Sequence, residues 1–469
     1  MTETEHLCDI AVIGLGVMGR NLALNLNDRG YKVVAGDAFP DVVVSARAEL
    51  EPTVTVVDTP IDVLKHLKAP RTMLVMIKAG DPVDALIETF RPHLQPGDIL
   101  IDGGNSHYHD TERRQALLEA DGVRFVGLGV SGGEEGARHG PALMAGGDPD
   151  AVAAVSAPLA AIAAKAGDGA PCFGTFGPGG AGHFVKMAHN GIEYLVMQAL
   201  AECYLLLSGP AGLEREAMAE TFRRWDETAA SSYLLEITAV VVDEVDTDTG
   251  RPLVEMIKDS AHHKGTGRWT VEAGLQYGVA VPGIATAFLA RALSSRRAPH
   301  AASLRRLPPA GDAALIADDL GKALPAVMLA AYAQGLSLIS EASKVNGWGT
   351  ELATVARTWR AGCIIRAAML DPIADAFTAD PELTDITLSP LAEEILETAE
   401  RPLRRVVAAA VADGVPVPAL ANSIAYLDGL RAKRVGANLI QGQRDLFGAH
   451  TFERTDKPGV FHHEWPVVS

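Results

Sequence analysis

From Asp9 to about Phe176 short, β-rich apolar runs alternate with segments of helical periodicity. The runs are IAVIGLG, KVVAGD, VTVVD, TMLVMI, DILIDGGN and RFVGLGVSGG. Strands alternating with helices predict an α/β domain built on a doubly wound, mostly parallel sheet. After Pro178 strand-like runs nearly vanish, and Ala/Leu-rich segments with helical spacing continue to about Arg431. This predicts a large all-α domain. The last stretch, GANLIQGQRDLFGAHTFERTDKPGVFHHEWPVVS, holds no sustained period and reads as an extended tail that needs another surface to pack on. The expected division is residues 1–178, 179–435 and 436–469.

The helical region carries an internal similarity. GVAVPGIATAFLARALSS resembles GVPVPALANSIAYLDGLR, with Pro282 and Pro418 at 418 − 282 = 136 positions apart. Gln198 and Gln334 show the same separation, so a duplicated helical unit is expected to pack as related halves.

Within the segment AGHFVKMAHNGIEYLVMQALAECYLLL, Lys186, His189, Asn190 and Glu193 stand at i, i+3, i+4 and i+7. That spacing puts an amine, an imidazole, an amide and a carboxyl within about a 100° arc of one helix. The stripe is either a solvated charged face or an active site laid along a helix. Moving 136 positions on gives Pro325, Ala326 and Leu329, and only Lys186 keeps its type, as Lys322. A stripe that the helix needed in order to fold should recur in the second copy, so chemistry is the favoured reading.

Composition narrows the partners. The 469 residues are 48% hydrophobic and 21% charged, with a net charge of −18. Neither nucleic acid nor anionic membrane suits such a surface, and an anionic substrate needs a local basic pocket. Apolar runs are broken by polar residues, so no transmembrane helix is expected, and the N-terminus lacks a signal-peptide pattern. Cys8, Cys172, Cys203 and Cys363 are scattered without a CxxC pair. No disulfide framework or metal site is suggested, and a reducing cytoplasm fits.

The first run opens a glycine motif, Gly14-Leu15-Gly16-Val17-Met18-Gly19, between a strand and an amphipathic helix. In that context GxGxxG marks a Rossmann-like dinucleotide site: a tight turn, close approach of the pyrophosphate, and close helix packing. Asp37, followed by Ala38 and Phe39, ends the next strand. An acidic residue there accepts ribose hydroxyls and repels a 2′-phosphate; the alternative is a turn aspartate capping the next helix. Asn105 follows Gly103 and Gly104 after a later strand, and Ser131, Gly132 and Gly133 follow the next. The latter offer a hydroxyl and backbone N–H groups to a carboxylate, although Ser131 also suits a helix N-cap. Lys264, Thr266 and Arg268 cluster among glycines, while Arg291, Arg444 and His450 lie further on. Each alone reads as a surface group; together they suggest a phosphate grip.

The motifs GLGVMGRNLALNLNDRG, IDGGNS, GVSGGEEGARHGP, GHFVKMAHNGIEY, KGTGRWT, WRAGCIIR and ANLIQGQRDLFGAHTFER span nearly the whole chain. With them the sequence resembles the decarboxylating 6-phosphogluconate dehydrogenases. The resemblance implies a dimer in which each tail reaches into the partner's site. It makes Lys186 the general base and Glu193 the general acid. It places His189, Asn190, Asn105, Ser131, Gly132 and Gly133 on the sugar acid. Tyr194, Lys264, Thr266, Arg291 and Arg444 would hold the phosphate, with Arg444 and His450 from the partner. Ile77, Lys78, Ala79 and Asn105 would line the nicotinamide, and no metal is required. Many members carry Asn-Arg-Thr where this chain has Asp37, Ala38 and Phe39, which predicts NAD as the preferred cofactor with NADP possible. The competing readings are a non-decarboxylating β-hydroxyacid dehydrogenase, which lacks the phosphate grip and tail, and a catalytically silent nucleotide-binding regulator.

Overall fold

The structure is a computed structural model that describes residues 7–50, 52–261, 265–296 and 313–466. The first region runs β1 (Ile10–Ile13), α1 (Val17–Asp28), β2 (Val33–Gly36), α2 (Pro40–Glu49), β3 (Thr55–Val56), β4 (Thr72–Val75), α3 (Asp81–Phe90), β5 (Ile99–Asp102), α4 (Tyr108–Glu119), β6 (Arg124–Ser131), α5 (Gly133–His139), β7 (Ala142–Gly147), α6 (Pro149–Ile162) and β8 (Phe173–Thr175). These strands form one sheet in the order β3-β2-β1-β4-β5-β6-β7-β8. All neighbours pair in parallel except β6 and β7. Six strands match the runs read from sequence; β7 and β8 extend the sheet beyond them.

Side-chain alternation on β1 shows why both faces are covered. Ile10 and Val12 join a core with Leu22 and Leu26 of α1. Ala11 and Ile13 join the opposite core with Ile87 of α3 and Leu118 of α4. A strand buried on both faces reads as a continuous apolar run.

The helical region comprises α7 (Ala181–Ser208), α8 (Arg215–Asp226), α9 (Tyr233–Asp243), α10 (Leu253–Met256), α11 (Thr266–Tyr277), α12 (Pro282–Arg296), α13 (Ala313–Asn346), α14 (Leu352–Thr358), α15 (Leu370–Ala379), α16 (Pro390–Ala412) and α17 (Pro418–Arg431). The span Ala317–Asn346 is long and apolar enough to cross a membrane by length and composition, so the apolar runs are less broken than the sequence reading has them. Yet 83% of its apolar window is buried inside the protein, as in a core helix, and α13 packs against α7 and α16.

The 136-residue offset has a physical counterpart. Gln334 Oε1 accepts from the backbone N–H of Gly283 and Ile284, at 2.8 and 3.3 Å, at the start of α12. The carboxylate of Glu202 accepts from Ala419 and Leu420, at 2.8 and 2.9 Å, at the start of α17. Each long helix thus satisfies unpaired N–H groups at the helix start belonging to the other half. Gln198, the counterpart of Gln334, donates to Glu202 at 3.0 Å.

Glu202 is fully buried, and burial pushes its carboxyl up to about 7 against the pull of these donors. The native state therefore holds the proton more tightly than the unfolded chain, and stability from this group falls as pH rises from the ordinary carboxyl range through about 7. Glu202→Gln should remove that fall, with a relative gain above neutral pH of at most about 3 kcal/mol. Urea midpoints near pH 5 and pH 8 check this; identical pH dependence in both proteins would contradict it.

The chain divides into two compact units between Ser423 and Ile424. The second holds α18 (Ala437–Gly448), β9 (Phe452–Glu453) and β10 (Val460–Phe461), the strands pairing antiparallel. The tail is therefore not merely extended. It contains a twelve-residue helix and folds back onto the buried carboxylate of Asp445, a local anchor that apolar periodicity does not reveal.

Candidate active site

The sheet reverses its order between β1 and β4, and ligands of open α/β sheets bind beyond the strand ends at such a point. Gly14 has φ 97°, and a Cβ there would meet Met76 O at 2.5 Å. A Cβ on Gly19 would lie 1.8 Å from Gly14 O, so α1 needs glycine to seat on the loop. At Gly16 a Cβ would meet nothing within 4 Å. The space before the start of α1 is open where a pyrophosphate would approach, so the loop fits a dinucleotide. Leu15 is buried, whereas Val17 is exposed and Met18 half-buried.

Both carboxylate oxygens of Asp37 are engaged by backbone N–H groups. Its Oδ2 accepts from Leu15 N at 2.6 Å and its Oδ1 from Phe39 N at 2.9 Å. The carboxylate braces the glycine loop and the turn after β2, while Ala38 and Phe39 are exposed. On the neighbouring strands, Ile77, Lys78 and Ala79 follow β4, with Lys78 exposed. Asn105, also exposed, follows Gly103, whose Cβ would strike Met76 Sδ at 2.4 Å.

Helix α7 reaches this edge because β6 and β7 carry glycine where it rests. A Cβ on Gly129 would sit 2.4 Å from Lys186 Cβ, one on Gly127 2.9 Å from His183 Nδ1, and one on Gly146 2.4 Å from Gly182 N. The alternating glycines of RFVGLGVS thus bring the helix onto the strand, beside the Ser131 end.

The stripe is buried rather than solvated. Lys186 is 6% exposed, His189 0% and Asn190 9%, and only Glu193 keeps a part-exposed side chain at 21%. Lys186 Nζ donates to Asn190 Oδ1 at 2.9 Å. The same oxygen lies 3.0 Å from His189 Nδ1, and His189 Nε2 lies 3.2 Å from Ser131 Oγ. With Nδ1–H donating to the amide oxygen, Nε2 accepts from the Ser131 hydroxyl. Ser131 therefore orients on His189. The N-cap of α5 is Gly132, so the capping alternative for Ser131 is not what is found. Gly132 has φ 125° and lies against Gly362 O, whereas Gly133 faces open space.

Burial dominates the proton affinities. It pushes the Lys186 ammonium below the ordinary lysine value, with Glu193 and the Cys363 thiol opposing. Burial, then the charge of Lys186, holds His189 well below the usual imidazole range, so the ring is neutral. Burial raises Glu193, with Lys186 and Arg291 opposing. An amine and a carboxyl two turns apart on one helix are both driven toward their neutral forms, as proton-transfer chemistry requires.

Beyond Glu193, a Cβ on Gly267 of α11 would lie 2.5 Å from the buried Tyr194 ring. The Arg291 guanidinium stacks 3.6 Å from that ring's centroid, and Thr266 is buried at the start of α11. Tyr194, Thr266 and Arg291 thus come together. Lys264 lies outside the described residues. Arg444 and His450 belong to the second unit and are exposed.

Three residues escaped sequence reasoning. Arg114 is fully buried and donates to Asp84 at 2.9 and 3.0 Å, to Asp102 at 3.2 Å, to Ser106 at 3.2 Å and to Gly80 O at 3.0 Å. It ties the loop after β4 to the loop after β5, yet in YHDTERRQALLE it reads as one more surface charge. The Trp359 ring meets His189 edge-on, with centroids 5.7 Å apart. The Cys363 thiol donates to Trp359 O at 3.1 Å. Only the segment WRAGCIIR hinted at either.

Together the fold and this site define a dinucleotide-dependent dehydrogenase with a buried polar stripe on the helix that rests beside the Ser131 end of the sheet. Residues 9–175 match the model for the NAD binding domain of 6-phosphogluconate dehydrogenase, and residues 182–465 that for its C-terminal domain. A Synechococcus elongatus decarboxylating 6-phosphogluconate dehydrogenase is 46% identical, over 98% of this chain and 99% of that protein. A Bacillus subtilis NADP(+)-dependent decarboxylating enzyme is 43% identical, over 97% and 98%. The Plasmodium falciparum 6-phosphogluconate dehydrogenase, solved in its apo form and with NADP+ and with 6-phosphogluconate, superposes with a TM-score of 0.93 at 36% identity, covering 98% of this chain and all of that one. The chain belongs to the decarboxylating 6-phosphogluconate dehydrogenases, NAD(P)-binding oxidoreductases of the pentose phosphate pathway.

Proposed function

We propose that the protein converts 6-phospho-D-gluconate to D-ribulose 5-phosphate and CO₂ using NAD in preference to NADP, in homodimers with shared sites. The observation that carries the chemistry is the buried Lys186–Asn190–His189–Ser131 chain with Glu193 one turn on. The nicotinamide, when bound, accepts hydride from C3 of the substrate. Neutral Lys186 takes the proton of the C3 hydroxyl, and Asn190 holds its nitrogen in place. After CO₂ leaves, Lys186 returns that proton to the oxygen to give the enediol; protonated Glu193 then delivers a proton to C1 of the enediol while Lys186 takes the hydroxyl proton back, leaving the ketone of ribulose 5-phosphate. His189, Asn190, Asn105, Ser131, Gly132 and Gly133 contact the sugar acid. Tyr194, Lys264, Thr266 and Arg291 take the phosphate, with Arg444 and His450 supplied by the partner.

In this reading residues 1–178 bind the dinucleotide, residues 179–435 supply the substrate face and dimer contacts, and residues 436–469 reach the partner. Four free cysteines, all buried, fit work in a reducing cytoplasm.

The cofactor preference rests on Asp37, Ala38 and Phe39. Alanine offers no guanidinium to a 2′-phosphate, and Asp37 adds like charge beside it. The nearest arginines are engaged elsewhere. Arg47 pairs with Asp58 at 2.7 Å. Arg20 is held by Glu49, Ser45 and Leu15 O. The Bacillus relative is named as NADP-dependent and the Plasmodium structure holds NADP+, so this preference is a point on which this chain would differ from them. A lost charge-assisted bond is worth about 1.5–3 kcal/mol, or roughly 10- to 100-fold in kcat/KM in favour of NAD. Initial rates with each cofactor, following reduced nucleotide and CO₂ together, test both claims. Asp37→Asn with Ala38→Arg should move the preference toward NADP. Higher efficiency with NADP in the unmodified protein would overturn the preference; reduced nucleotide without CO₂ would overturn the reaction.

A further inference from the structure

We propose that Asp445 is a positioning residue that holds the corner carrying Arg444 and His450 in its working shape before it meets a neighbouring subunit. The inference rests on the shared-site reading above. The Asp445 side chain is completely buried on α18. Its Oδ1 accepts from Thr451 N at 2.9 Å and from His462 Nδ1 at 2.9 Å. Its Oδ2 accepts from His463 N at 3.0 Å and from Trp465 Nε1 at 2.7 Å. A carboxylate has about four acceptor sites, and these donors use them all. They come from both sides of the β9–β10 pair, so a single side chain closes the tail on itself.

The corner so closed is strained. Ala449 has φ 50° and Thr451 φ 64°, and among the described residues they alone have positive φ without being glycine. For a β-branched threonine that region is an outlier. Strain of this kind persists where surrounding bonds over-determine it, and it gathers at functional positions. All three polar groups of Thr451 are taken: its N–H by Asp445, its carbonyl by Gln441 Nε2 at 2.6 Å, and its hydroxyl, which donates to His450 O at 2.6 Å. Gln441 also accepts from Arg444 Nη1 at 3.1 Å. His450 stands between the two strained residues, exposed, with its ring edge-on to Phe447 at 5.8 Å. The bonds that hold the strain thus aim the two groups that the proposed function assigns to the partner's substrate. A tail that served only as packing would have no use for a strained corner.

Asp445→Asn keeps the shape of the side chain but sets an amide –NH₂ against at least one of four donors. We expect kcat/KM for 6-phosphogluconate to fall about 10²-fold, as misplacing a binding group by about an ångström does, with cofactor affinity and dimer formation retained. Subunit exchange with Lys186→Met then discriminates positioning from general damage. A hybrid joins an intact Lys186 to an intact tail in one of its two sites, so the mixture should regain about a quarter of native activity. His450→Ala provides the reference for the underlying reading. Unchanged kinetics in Asp445→Asn, beside a clear loss in His450→Ala, overturn the role of Asp445 and leave the shared site standing. Unchanged kinetics in both overturn the shared site, and the inference with it. An Asp445→Asn protein that is monomeric, or that regains nothing on exchange, also overturns the positioning role.

Discussion

Lys186→Met should bind dinucleotide as the unmodified protein does and turn over substrate about 10²–10⁴-fold more slowly, the range for a lost general base. The residue is chosen because its surroundings leave it little other use. It is 6% exposed, burial pushes its pKa down, and among the described residues its nitrogen has one hydrogen-bond partner, the neutral amide of Asn190. A lysine kept for stability would face a carboxylate at contact distance, as Lys322 in the second copy faces Asp318 at 2.6 Å. Methionine matches the apolar stem and keeps the contact with Gly129, so the fold should survive. The pH dependence gives a second readout. Activity should rise with pH as Lys186 sheds its proton and decline when Glu193 loses its own, while Glu193→Gln should weaken protonation at C1 more than hydride transfer. Near-native turnover in Lys186→Met would sink the assignment.

The polar stripe of α7, buried as a solvated face would not be, was legible because polar groups at helical spacing in an apolar segment have few explanations, and the missing stripe in the second copy removed one of them. Six strands were legible because strands buried on both faces are continuous apolar runs. What stayed hidden shares a cause. β7 is ALMAGG, built of small residues so that α7 can come close, and the same smallness erases its strand signal. Arg114, Glu202 and Asp445 are charged residues on helices, and spacing alone cannot separate a surface charge from a buried one whose partners arrive from distant segments. Glu202 meets Ala419 and Leu420 across more than 200 residues. Asp37 was found at the right strand end, but which way its carboxylate turns depends on the Leu15 N–H that closes on it. Local pattern therefore reports elements and chemistry, whereas the braces that hold the chemistry in register are long-range and appear only in the fold.

Removing residues from about Gly436 onward should abolish activity and weaken the dimer. On the shared-site reading that segment carries Arg444 and His450 into the partner's site, so every site would lose two groups at once. It also carries the apolar surface that a partner would cover. Leu439 is 65% exposed, Ile440 58% and Phe447 70%, on a helix whose opposite side is pinned through Asp445. Large apolar side chains gathered on one exposed helix are costly in water unless another surface takes them. Their loss should shift the monomer–dimer equilibrium as well as the kinetics. Sedimentation at graded concentrations and assays on the same samples separate the two effects. If dimerisation alone were at stake, activity would recover at high protein concentration; the shared-site reading predicts that it stays at background even where dimers persist. A truncated protein that remains dimeric and fully active would refute that reading, while the Lys186 chemistry within each subunit would stand.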